Sequence, residues 1–137
     1  RHKVAIIAEL NLKFSSRFPR QRNACGMEIS MEQVTAQDFQ IIDNCLMIRL
    51  PEEIDHHGAG VICEQADRLL VKKEVNHVVF DFEQTRFMDS SGIGIIMGRY
   101  RKISCFGGKV YCLHADRQIQ RILRMSGLNK IVEVLES

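Results

Sequence analysis

Asp89, Ser90 and Ser91 stand together at the head of "DSSGIGIIMGRYRKI", residues 89–103. Aspartate and serine at such a place accept hydrogen bonds from the unpaired N–H groups that open a helix. A capping role accounts for one of Asp89 and Ser90 and leaves the others unexplained. Nucleophilic catalysis would need the G-x-S-x-G elbow, and no glycine stands between Arg86 and Ser91. His56, His57, His77 and His114 are candidate bases, but no spacing brings one of them to either serine. A phosphate-binding loop is also unsupported, because the lysine and the Ser/Thr after it are missing and the glycines sit within a helical pattern. A small nucleotide-binding or hydrolytic α/β enzyme is therefore the weak alternative; the chain is expected not to be an enzyme and to need no cofactor.

Two further features bear on chemistry. The pair His56-His57 lacks the remaining ligands of any H-E-x-x-H-like set, so no metal is expected there. Asp55, just before the pair, is a second carboxylate suited to a helix entrance. With Ile93 as the origin of a helical wheel, Ser91, Gly94, Gly98 and Arg101 fall along one flank. Glycine in a helix costs about 1 kcal/mol relative to alanine. That stripe of small residues is read as a groove open to a partner, with Ile93, Ile96, Met97, Tyr100 and Ile103 facing inward.

The elements that must position these residues are legible in the pattern. "FQIIDNCLMIRL" reads as two strands turning at Asp43-Asn44, both tolerant of left-handed backbone. "PEEIDHHGAG" reads as turn-like, and Ala59, Ile62, Cys63, Ala66, Leu69 and Leu70 then recur at helical spacing. "HVVFDF" is a buried strand, Gly107-Gly108 stops the helix begun by the serines, and "KVYCL" is the next strand. Asp116 caps a helix with Ile119, Ile122 and Leu123 inward; Gly127 ends it, with Leu128 as the hydrophobic contact, and "IVEVL" is the last strand. Helical crossovers make successive strands parallel, so the order predicts a single α/β domain with a mixed sheet.

Composition bounds the rest. The 137 residues, 45% of them hydrophobic, suffice for one core. Residues 1–30 hold six Lys/Arg and two Asp/Glu, whereas residues 31–137 hold thirteen and fifteen, so the net charge of +2 comes from the amino-terminal stretch. That stretch is read as an appended extension, and residues 31–137 as the domain. The mildly acidic domain offers no basic face for nucleic acid. Apolar runs such as "GIGIIMG" fall well short of the roughly 20 residues that cross a bilayer. Five cysteines without C-x-x-C or Cys/His spacing fit reduced thiols in a cytoplasmic protein.

"RLPEEIDHHGA" (49–59), "HVVFDFEQTRFMDSSGIGIIMGRYRKI" (77–103) and "RMSGLNKIV" (124–132) together resemble the bacterial anti-anti-sigma factors of the STAS family. The likeness is closest to those that antagonise the sporulation anti-sigma factor, and it spans about residues 38–135. It implies a mixed sheet with helices mainly on one face. It also implies that Ser90, the first serine of D-S-S-G, is phosphorylated by the partner, an anti-sigma factor that is itself a serine kinase and brings the ATP. The unphosphorylated form would bind that partner and free the sigma factor for transcription, and a serine phosphatase would restore Ser90. Asp55, Asp89, Ser91, Ile93 and Gly94 match family positions around the phosphorylation and partner-contact surface. A STAS module of another assembly, such as a stress-response complex, is the alternative within the fold. Pro51 and Glu52 depart from the family, which commonly has glycine before the acidic residue of this turn; Glu52 adds a charge near the proposed surface.

Overall fold

In a computed structural model, residues 38–72 and 74–135 are described; the expected extension, residues 1–30, lies outside them. Strands β1 (Phe39–Ile42) and β2 (Cys45–Arg49) form an antiparallel hairpin. Asp43 and Asn44 take φ of 49° and 66°, the left-handed pair that a two-residue turn between twisted strands requires. Next come β3 (Glu53–Ile54), α1 (His56–Lys72), β4 (His77–Asp81), β5 (Phe87–Met88) and α2 (Ser90–Ser104). Strand β6 (Val110–Leu113), α3 (Arg117–Met125), a 3-10 turn (Leu128–Lys130) and β7 (Glu133–Leu135) complete the order.

The main sheet runs β1-β2-β4-β6-β7; β1 is antiparallel to β2 and the other pairings are parallel. Leu46, Ile48, Val78, Phe80, Val110 and Cys112 alternate toward one face and share a core with Ile62, Ala66, Ile95, Ile96, Ile119 and Leu123 from α1, α2 and α3. Met47, Val79 and Tyr111 alternate toward the other face and are buried as well, as continuous apolar strands require. The expected mixed sheet with helices on one face is thus the observed architecture.

Three details differ from the sequence reading. The segment read as turn-like contains β3, which pairs in parallel with β5 as a separate two-stranded sheet. The last strand is shorter than "IVEVL": Ile131 and Val132 donate their N–H groups to Leu128 O and close the 3-10 turn instead. The buried face of α2 is Gly92, Ile95, Ile96, Arg99 and Ile103, so the helix is rotated from the expected setting; Ile93, Met97 and Tyr100 are half-buried at its margin. Arg99 lies on that buried face with a charge partner. Its Nε lies 3.0 Å from Asp67 Oδ1 on α1, an inter-helix ion pair that Lys102 joins at 3.1 Å through Asp67 Oδ2.

Candidate functional site

Parallel strands leave the N-termini of α1, α2 and α3 at one end, where β2, β4 and β6 finish. Three aspartates cap those helices. Asp55 Oδ1 accepts from Gly58 N–H at 2.8 Å, Asp89 Oδ1 from Ser91 N–H at 2.7 Å, and Asp116 Oδ1 from Ile119 N–H at 2.9 Å. Each carboxylate answers an N–H that has no partner within its own helix.

The small sheet brings two of these entrances together. Glu53 pairs with Phe87 and Ile54 with Met88, and Asp89 N–H donates to Ile54 O at 3.2 Å. Asp55 and Asp89 are the next residues on the two strands. Burial alternates as on any pleat: Ile54 and Met88 point inward, while Glu53 and Phe87 face solvent. The α1 and α2 entrances, far apart in sequence, are therefore laid side by side by two residues of pairing.

At the α2 entrance the two serines differ. Ser90 is exposed; Ser91 is half-buried, and its N–H is held by Asp89. Gly92 N–H donates to Asp89 O at 3.0 Å, so Asp89 occupies two of the first free N–H groups. Gly94 is exposed, and a Cβ built on Gly94 or Gly98 meets nothing within 4 Å. Of the expected stripe, Gly94 and Arg101 are exposed and Ser91 and Gly98 half-buried. Ile93, half-buried like Asp89 and Ser91, differs from the other proposed contact residues in packing against the core.

On the β3–β5 edge beside Ser90, Glu52, Glu53 and Asp55 are exposed and Asp89 half so, with the exposed Arg86 as the basic residue among them. Phe87, 48% exposed, adds an aromatic surface three residues before Ser90. Sequence reading missed Phe87 as a surface residue, because only the pairing of β5 with β3 decides which side of this short strand faces out. The histidines offered as bases have other partners where the bonds are defined. His114 Nδ1 lies 2.9 Å from Asp81 Oδ1, and His77 Nδ1 accepts Lys109 N–H at 3.1 Å. His56 and His57 are exposed on the first turn of α1.

One potential ligand trio was invisible in the sequence. Asp81, Glu83 and His114 offer ligand atoms within 4.8 Å of one another where β4 and β6 end. Arg49 reaches into the same cluster, with Nε 3.4 Å from Asp81 Oδ2 and Nη2 3.2 Å from Glu83 Oε2, and so already brings a cation to both carboxylates. A polar cavity of about 450 Å³, lined by Tyr100, Ser104, Lys109, Lys130 and Glu133 among others, lies at the opposite end of the 15-residue helix α2 from Ser90. That separation is roughly 20 Å of helix.

Thiol chemistry is remote from the entrances. Burial pushes the Cys112 thiol up to about 12, and burial with the nearby Asp43 charge raises Cys45. Cys45, Cys63, Cys105 and Cys112 are free, and among the four only Cys105 is exposed.

Residues 36–137 match the family model of the STAS domain. The chain belongs to the STAS-domain family. An anti-sigma F factor antagonist of Paenibacillus polymyxa is 36% identical over 92 residues, covering 67% of this chain and 79% of that protein. Another from Lysinibacillus sphaericus is 28% identical over 102 residues, covering 74% and 81%. The solved structure of the anti-sigma factor antagonist SpoIIAA in its unphosphorylated form superposes with a TM-score of 0.65 at 27% identity, covering 72% of this chain and 87% of that one. The phosphorylated Bacillus SpoIIAA gives 0.60 at 27% identity, covering 72% and 90%. The STAS fold expected from the sequence is thereby shown. Among the described residues, no helix is long and apolar enough to cross a membrane.

Proposed function

We propose that this STAS domain is an anti-anti-sigma factor. Unphosphorylated, it binds an anti-sigma factor that is also a serine kinase and so releases the sigma factor; phosphorylation of Ser90 switches it off, and a serine phosphatase reverses the switch. It works in the cytoplasm as a non-enzymatic regulator, and the ATP belongs to the partner. The observation that carries this reading is an exposed Ser90 at a helix entrance, flanked by the cap carboxylates Asp55 and Asp89 and by the open Gly94 flank. The anti-sigma F factor antagonists among the relatives support it.

The switch follows from charge. A phosphoserine carries about −1.5 to −2 at neutral pH. Asp89 already takes the N–H groups of Ser91 and Gly92, so the phosphate adds to an acidic edge and stays outward, where a partner docks. Crowded like charges and a phosphate stripped of water each cost several kcal/mol at an interface. The helix dipole favours the anion locally, so the fold survives the modification. The direct check is incubation with the anti-sigma F factor of Paenibacillus polymyxa and ATP, followed by mass mapping. One phosphate on Ser90 is expected; phosphate on Ser91, or none, contradicts the reading.

A further inference from the structure

The parallel ladder between β2 and β4 ends where the site begins. Leu50 N–H still donates to Asp81 O at 3.0 Å, but Glu83 N–H, the donor that would next meet Leu50 O, turns to Asp81 Oδ1 at 3.0 Å and the pairing stops. Beyond that point the carbonyls of Leu50 and Pro51 face a loop rather than a strand, and both residues are buried. Carbonyls left there without donors would each cost a hydrogen bond. Two side chains of the β4–β5 loop supply the donors. Gln84 Nε2 donates to Leu50 O at 3.0 Å, and Thr85 Oγ1 donates to Pro51 O at 2.8 Å, with a longer approach to Leu50 O at 3.4 Å. Thr85 is a fully buried polar residue, 0% exposed. Immediately after these bonds, Arg86 N–H and Phe87 N–H both donate to Glu52 O, at 2.8 and 3.1 Å, and the β3–β5 pairing starts.

We propose that Thr85 is a positioning residue for the Ser90 site: its buried hydroxyl clamps the Pro51 carbonyl and so sets the register that lays Asp55 beside Asp89 and Ser90. The clamp gives the buried Pro51 carbonyl a donor just past the point where the β2–β4 ladder ends. Its consequence for phosphorylation rests on the function proposed above; its consequence for β3–β5 does not.

The test compares Thr85→Val, which keeps the shape and removes the donor, with Thr85→Ser, which keeps the donor, in the full chain. Amide exchange by NMR is followed at Arg86, Phe87 and Asp89, against Val79 and Phe80 in the main sheet. Phosphorylation is followed with the anti-sigma F factor of Paenibacillus polymyxa. Thr85→Val is expected to speed exchange at the first three amides about tenfold, the scale of one lost buried hydrogen bond, with Val79 and Phe80 unchanged. It is also expected to raise KM about tenfold with kcat within about twofold, since the clamp aligns the docking edge and leaves the Ser90 hydroxyl intact. Thr85→Ser is expected to restore both. Unchanged exchange in Thr85→Val, equal defects in the two variants, or global unfolding of Thr85→Val would each overturn the proposal. If the unmodified protein is itself not phosphorylated by that factor, the functional reading fails, and the exchange rates still decide the role of Thr85.

Discussion

Ser90 and Ser91 are chemically alike and structurally unequal. Ser90 stands exposed on the first turn of α2, whereas Ser91 is half-buried behind the Asp89 cap. Ser91→Ala is accordingly expected to remain a phosphoacceptor substrate, and Ser90→Ala to bind the kinase persistently without accepting phosphate. Ser90→Asp should keep the fold, because a carboxylate at a helix N-terminus is favourable by about 0.3–1 kcal/mol. Its affinity for the anti-sigma partner should nevertheless fall by at least about tenfold, read by titration calorimetry, through charge added to an interface edge. Equal affinity of Ser90→Asp and the unmodified protein would remove charge as the cause of switching.

On α2, two glycines two residues apart have opposite duties. A Cβ on Gly92 runs into the Met88 side chain, which is itself buried, whereas Gly94 has open space around it. Gly92→Ala should therefore destabilise by about 1–3 kcal/mol through overpacking. Gly94→Leu should leave the melting temperature unchanged or raised, since it replaces a poor helix former on an exposed face, while abolishing measurable partner binding. Unfolding of Gly94→Leu would place that flank against the core. The open flank was legible from the spacing of Ser91, Gly94, Gly98 and Arg101, because small residues at helical intervals mark one side whatever the rotation of the helix. The rotation itself was not legible. Nothing local in the sequence places Arg99 inward, since its partner Asp67 lies on another helix, and only the fold shows that a Cβ on Gly92 would meet the Met88 side chain. The β3–β5 pairing escaped for a related reason: two residues are too few to show an alternation, and their partners lie more than thirty positions apart.

At the scale of the molecule, the hairpin, the parallel crossovers and the caps at Asp89 and Asp116 all follow from local rules, and the tertiary fold obeys them. Burial leaves one property that belongs to the whole fold. The folded Cys112 thiol holds its proton to about 12, while an unfolded thiol releases it near 9.0, so between these values the unfolded chain binds fewer protons. Stability from this group is complete below pH 9 and is lost as pH rises toward 12. Denaturant midpoints should fall across that window, and Cys112→Ala, though less stable at pH 8, should show a shallower fall; an equal slope in both proteins would assign the decline to other groups.

The central claim is that one phosphate on Ser90 separates a binding form from a non-binding form of the same fold. It is tested most directly by titrating the anti-sigma F factor of Paenibacillus polymyxa with the unmodified protein and with protein carrying phosphate on Ser90 alone. The unmodified form is expected to bind at least about 100-fold more tightly, a difference of about 2.7 kcal/mol that lies within the range for uncompensated charge at an interface. Equal affinities, or tighter binding by the phosphorylated form, would contradict it.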